Sequence, residues 1–100
     1  SLVSVTEISS HPHWMYRIDK EGSLKPFHEI EKKVDRRQDL EPLFIPNGAL
    51  YLCEKKWLED EKSFIGKATK AYIMPPERSI DIDSELDWLI AESLLNQRIL

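Results

Sequence analysis

Apolar and polar positions along the chain change period several times. Residues 2 to 8 are rich in Val, Thr and Ile, which predicts a β-strand. "SSHPH" breaks it. In "WMYRID" Trp14, Tyr16 and Ile18 alternate with Met15, Arg17 and Asp19, and "KEGS" then supplies turn residues before "LKPF". This predicts a β-hairpin with a loop of about four or five residues. Residues 28 to 41 are strongly charged, with Ile30, Val34 and Arg37 at helical spacing. A short surface helix or an ordered arm fits them. "PLFIPNGALYLC" predicts a Pro-Asn-Gly turn leading into a strand over residues 49 to 53. "EKKWLEDE" is a short helix candidate. "SFIG" and "AYIM" are short apolar pieces, the second ended by Pro75 and Pro76.

The clearest periodicity lies near the end of the chain. Leu86, Leu89, Ile90 and Leu94 recur at helical spacing. Trp88, Ala91 and Leu95 widen the stripe, which predicts a helix buried on more than one side. Ser84 and Asp87 have the spacing of a capping box, and Glu85 and Asp87 suit the positive end of the helix dipole. Trp57 and Trp88 are expected in the core. Cys53 is expected as a small buried hydrophobe.

Composition narrows the class. The chain has 100 residues, 41% hydrophobic and 32% charged, as in one ordinary globular domain. A net charge of −4 implies no general affinity for nucleic acid or an anionic membrane. No apolar run approaches the roughly 18 residues of a membrane span. Cys53 is the single cysteine, so no internal disulfide forms, and a cytoplasmic setting fits. A strand at residue 1, with neither methionine nor cap before it, is expected of a piece of a longer protein. Only Gly22, Gly48 and Gly66 are present. None sits in a glycine-rich loop of the kind that cradles phosphate.

One stretch carries candidate chemistry. In "RSIDIDSELD" Asp81 and Asp83 alternate with Ile80 and Ile82. In a strand, residues two apart share a face about 6.6 Å apart. The isoleucines can then face a core while the aspartates share a cleft. Two carboxylates so placed repel, and a cation relieves the cost. Magnesium suits them, because it takes one or two carboxylates and bridges to substrate phosphates. Spacing alone leaves bland readings open: Arg78 pairing with either aspartate, or Asp83 helping to cap the helix. In "RRQDLEPLFIPNGALY", Arg36 and Arg37 read equally as surface charge, and Asn47-Gly48 as a plain turn. An acidic sugar would need such a set: an arginine for its carboxylate, an Asn and a Tyr for its oxygens, and an apolar wall. His11 and His13 lack the partners of a zinc site.

"PNGALY" followed by "YIMPPERSIDIDSELDWLIAESLL", with "RRQDL" upstream, resembles the C-terminal part of the acylneuraminate cytidylyltransferases. These are the CMP-sialic acid synthetases and their legionaminic and pseudaminic acid relatives. The resemblance runs from "VSVTE" to "AESLL". It implies an α/β fold: the C-terminal part of a Rossmann-like nucleotide-sugar transferase α/β/α sandwich, with a β-hairpin and arm for dimerisation. Residues 11–48 are then the dimerisation and sugar-contact element. Residues 49–100 hold returning strands, the metal aspartates and the C-terminal helix. The implied reaction is magnesium-dependent transfer of CMP from CTP to a nine-carbon α-keto acid sugar, releasing pyrophosphate. By position, Asp81 and Asp83 resemble the magnesium ligands. Asn47, Tyr51 and Phe64 resemble sugar contacts. Arg37 resembles an arginine that reaches the sugar carboxylate from the partner subunit of a homodimer. The chain departs from the family pattern at Ile45, where an arginine is usual, at Ile65, where a second aromatic often stands, and at Trp14, where some members have lysine. Alone, this chain is expected to be inactive. The rival expectations are a non-catalytic dimerisation module and a carbohydrate-binding domain, the latter leaving the aspartate pair without a purpose.

Overall fold

The computed structural model describes residues 1–27 and 40–97. The expected arm, with Arg36 and Arg37, lies outside the described residues apart from its last two positions. The chain divides into two compact units, residues 1–7 with 44–100 and residues 8–43.

The larger unit is built on a mixed three-stranded sheet with strand order β4-β1-β5. β1 (Leu2–Glu7) is its central strand. β4 (Phe44–Leu52) pairs with it antiparallel, and β5 (Lys70–Ile73) parallel. Position explains burial: Val3 and Ser4, in the middle of the central strand, are 3% and 0% exposed. α1 (Lys55–Glu61) connects β4 towards β5 and ends at Lys62, which takes a left-handed conformation (φ 53°) and donates its N–H to the Leu58 carbonyl. A mixed α/β architecture is therefore observed.

β4 differs from expectation. The Pro-Asn-Gly sequence does not precede the strand but lies inside it. Val5 pairs with Pro46 and Val3 with Tyr51, so Ser4 alone faces Asn47 to Leu50. The extra residues bulge out of the ladder. Gly48 makes this possible with φ +78°, a conformation costly for residues with a Cβ. Residues 80 to 83 also differ: they belong to neither sheet. Ile80 is half-buried, but Ile82 is 50% exposed, so the two isoleucines do not both face a core.

α2 (Glu85–Asn96) begins where the capping box predicts. The Ser84 hydroxyl accepts the Asp87 N–H, and the Asp87 carboxylate accepts the Ser84 N–H. Its predicted burial is not found. No residue of α2 is buried, and Leu86, Trp88 and Leu95 are 60–66% exposed. A wide apolar stripe calls for neighbours on several sides, and the described residues do not supply them. Trp57 and Cys53 are half-buried rather than core. The Trp57 ring packs on Gly66 so closely that a Cβ there would lie 2.9 Å from it.

In the smaller unit β2 (Tyr16–Ile18) and β3 (Leu24–Pro26) form the predicted hairpin. Asp19 organises its five-residue loop: one carboxylate oxygen accepts the N–H groups of Glu21 and Ser23, both at 2.9 Å. Gly22 supplies the positive φ the turn requires. The Arg17 guanidinium lies 4.7 Å from the centre of the Phe27 ring.

Candidate functional site

Asp81 and Asp83 lie on the short connection between a 3₁₀ turn (Pro76–Arg78) and α2. The Asp83 carboxyl is held above its ordinary range, chiefly by the charge of Asp81. Partial desolvation, a side-chain hydrogen bond with Asp81 and the charge of Asp87 add to this. The two carboxyls therefore act on one another, although not through the shared strand face that their spacing predicts. Asp87 moves the other way. Its carboxylate accepts the N–H of Asp83 at 3.0 Å, and the hydroxyl and N–H of Ser84 at the same distance. These donors, the Asp83 N–H first, keep its carboxyl below the ordinary range. A negative Asp87 therefore clamps the backbone that carries Asp83.

The other end of this connection is tied to the sheet through Asn47. The Asn47 Oδ1 accepts the Ser4 hydroxyl at 2.6 Å and the Ala49 N–H at 3.1 Å. A backbone N–H can only donate, so this atom is the carbonyl oxygen and the amide orientation is fixed. Its Nδ2 then donates to the Ser79 hydroxyl at 3.0 Å and lies 3.3 Å from the Met74 sulfur. Ser79 in turn donates to the Pro75 carbonyl at 2.8 Å. Both lone pairs and both N–H groups of the Asn47 amide are thus engaged within the chain.

Tyr51 and Phe64, both expected near a sugar, do come together: their ring centres lie 5.3 Å apart at an angle of 49°, a favourable aromatic geometry. Close by in sequence, Ile65 lines an open groove of about 190 Å³ on the sheet with Val3, Val5, Pro46 and Ala71. Gly66, Thr69 and Lys70 complete its lining, so the groove is mixed in polarity. Ile45 sits in β4 opposite Thr6. Arg37 lies outside the described residues. Sequence reasoning missed Ser4 and Ser79. Ser4 carried a usable signal, being a hydroxyl set between valines of a strand.

Among the described residues no group of three or more His, Cys, Asp or Glu side chains is placed to hold a metal ion. A pair of adjacent carboxylates, one raised by the other, still matches the donor set of magnesium, which completes its shell with water and substrate phosphate. No helix among the described residues is long and apolar enough to cross a membrane.

The described residues thus define an α/β chain with a paired-carboxylate corner at the start of a capped helix, and an aromatic pair formed by Tyr51 of β4 and Phe64 of the loop after α1. No protein-family model matches the chain. It is 36% identical over 104 residues to the CMP-N,N'-diacetyllegionaminic acid synthase of Legionella pneumophila, an alignment that covers all of this chain and 44% of that protein. It is 37% identical over 89 residues to the N-acylneuraminate cytidylyltransferase of Streptococcus agalactiae, covering 89% of this chain and 21% of the relative. To the Escherichia coli protein of the same name it is 30% identical over 97 residues, covering 97% and 23%. The chain spans between about a fifth and under half of the length of these relatives. Over most of its length the chain is thus similar to proteins named as cytidylyltransferases or CMP-sugar synthases for acidic sugars.

Proposed function

We propose that the protein carrying this chain transfers CMP from CTP to a nine-carbon α-keto acid sugar of the sialic or legionaminic acid type. The observation that carries the reading is the Asp81–Asp83 pair, with Asp83 raised by its neighbour, in a chain similar over most of its length to cytidylyltransferases. The anomeric hydroxyl oxygen of the sugar attacks the α-phosphorus. The bond from that phosphorus to the bridging oxygen breaks, pyrophosphate leaves, and the hydroxyl proton is released. Asp81 and Asp83 are the residues to hold magnesium, with Asp83 the better direct ligand. The metal supplies neutralisation of the triphosphate charge. Tyr51 and Phe64 provide a wall for the sugar, and Arg37 from a partner subunit meets its carboxylate.

These 100 residues supply the sugar and metal half of the site, and are inactive by themselves. Groups that grip the nucleotide belong elsewhere in the protein. The enzyme is a cytoplasmic homodimer with a Rossmann-like sandwich, its partners meeting through the element at 11–48. Two observations favour a second reading, a non-catalytic dimerisation module: residues 8–43 cluster as a unit of their own, and the hairpin exposes Tyr16, Ile18 and Leu24.

The deciding experiment is a CMP-transfer assay of the full-length gene product with CTP, magnesium and several nine-carbon keto acids. The expected result is transfer by the wild type and a loss of roughly a hundredfold or more in Asp83→Ala, of the order seen when one electrostatic group is removed from a site. Circular dichroism of that variant stays native. Turnover near wild type in Asp83→Ala would overturn the metal assignment. No transfer to any of these sugars favours the dimerisation module.

A further inference from the structure

The acidic connection, residues 80 to 83, is anchored at both of its ends. At the far end stands the capping box, where Asp87 takes the N–H groups of Asp83 and Ser84. At the near end stands Ser79, whose hydroxyl accepts an N–H of Asn47 from the sheet, while its own donors go to the Pro75 and Pro76 carbonyls of the turn. Asn47 itself is gripped by Ser4, which is fully buried in the central strand. The Ser4 hydroxyl also accepts the Leu50 N–H at 2.8 Å, and of the two acceptors in reach of its one proton Asn47 Oδ1 at 2.6 Å is nearer than the Leu50 carbonyl at 3.2 Å. A continuous run of hydrogen bonds leads from the centre of the sheet, through the β4 bulge, to a point two residues before Asp81.

We propose that Asn47 is a positioning residue, which acts through Ser79 to fix the Asp81–Asp83 pair for a divalent cation rather than by touching the sugar. Its saturated amide argues this directly. A sugar hydroxyl could bond to Asn47 only by displacing Ser4, Ala49, Ser79 or Met74. Three of these four, Ser4, Met74 and Ser79, are themselves tied to the sheet or to the turn before the acids. The β4 bulge explains why the device exists. Four residues opposite one leave Asn47 outside the ladder, free to turn its amide towards the 3₁₀ turn. The inference rests on the metal reading of the aspartates given above.

The test uses the full-length gene product and Mn²⁺ as the probe, its binding followed by the electron paramagnetic resonance signal of the free ion. Asn47→Asp keeps the size of the side chain and its acceptor, but places an oxygen where Nδ2 donates to Ser79. Ser79→Ala removes the acceptor at the other end, and Ser79→Thr keeps a hydroxyl there. Groups that orient metal ligands typically carry about 10- to 100-fold in affinity. The expected result is Mn²⁺ binding weakened about tenfold in Asn47→Asp and Ser79→Ala, and near wild type in Ser79→Thr. In the CMP-transfer assay the KM for the sugar then moves by less than about threefold, while the magnesium needed for half-maximal rate rises with the Mn²⁺ Kd. All measurements are made below the unfolding transition of the least stable variant, so that a loss of folded protein does not enter. The inference is overturned if Ser79→Ala binds Mn²⁺ as wild type does. It is equally overturned if Asn47→Asp raises the sugar KM and leaves the metal requirement unchanged. Absence of Mn²⁺ binding in the wild type overturns both this inference and the metal reading. Wild type that binds Mn²⁺ but transfers no CMP overturns the proposed activity alone, and the variant affinities still decide the role of Asn47.

Discussion

Ser4 has a consequence for stability that is separate from any ligand. Its hydroxyl has no exposure, accepts the Leu50 N–H and donates to Asn47. Replacing it by alanine removes few atoms but orphans a backbone donor and half of an amide acceptor. Leaving such buried groups unpaired costs about 1–3 kcal/mol, more than a lost methylene. Ser4→Ala is therefore expected to lower the free energy of unfolding by about 1–3 kcal/mol, with a matching fall in the denaturation midpoint, whereas Ser4→Thr keeps the hydroxyl but crowds the sheet. Chemical denaturation followed by tryptophan fluorescence measures the difference. A Ser4→Ala midpoint equal to wild type would mean that water replaces the hydroxyl at no cost. At this scale the sequence revealed the aspartates, Tyr51 and Phe64 as candidates, because unusual spacing and resemblance mark such residues. It did not reveal what Asn47 bonds to. Its partners lie 43 and 32 positions away, and only the folded chain brings them together.

At the scale of the element, the start of α2 is set by short-range hydrogen bonds and so was legible in advance. Ser84 and Asp87 satisfy each other's donors, and Asp87 holds the Asp83 N–H as well. A carboxyl kept below its ordinary range stabilises the folded form at neutral pH, and that contribution is lost as pH falls through the lowered value. Asp83 has the opposite sign. Its raised carboxyl favours the folded form while protonated, and the favour is lost as pH rises through the raised value. Acidification therefore relieves the repulsion at Asp83 first and breaks the Asp87 cap only further down. The expected record is helical circular dichroism that holds or rises slightly on mild acidification and then falls. Asp87→Asn, which keeps an acceptor oxygen but not the charge, removes the late fall. Ser84→Ala lowers helicity at every pH, by about 1 kcal/mol of helix stability. A late fall that persists in Asp87→Asn would locate the titrating group elsewhere. The strand limits were less legible. Pro46-Asn47-Gly48 has turn chemistry and predicts a turn, but the ladder to β1 resumes on both sides of it. Long-range pairing decided there against local preference.

At the scale of the whole molecule, the distribution of burial decides which parts hold together. Backbone hydrogen bonds tie β1 to both of its neighbours, and among the described residues Val3 and Ser4 are the buried ones. α2 has the apolar stripe of an enclosed helix, yet Leu86, Trp88, Leu89 and Leu95 lie open. Periodicity states that a face wants covering, and cannot state whether these residues contain the cover. The expectation of a doubly buried helix failed for that reason. The same imbalance predicts behaviour. An isolated helix of 12 residues is marginal in water, because nucleation is costly and the gain per residue small. Local opening then requires far less free energy than opening of the sheet. In hydrogen–deuterium exchange of this 100-residue chain, the amides of α2 beyond its first turn should exchange within seconds. Those of Val5, Leu50 and Tyr72, set in or beside the ladders of β1, should be protected at least a hundredfold more. Addition of whatever covers the apolar stripe should slow α2 selectively and leave the ladder amides almost unchanged. If α2 is instead protected as strongly as β1 in the chain by itself, its apolar face is covered in solution, and size-exclusion chromatography with light scattering shows whether a second copy of the chain covers it.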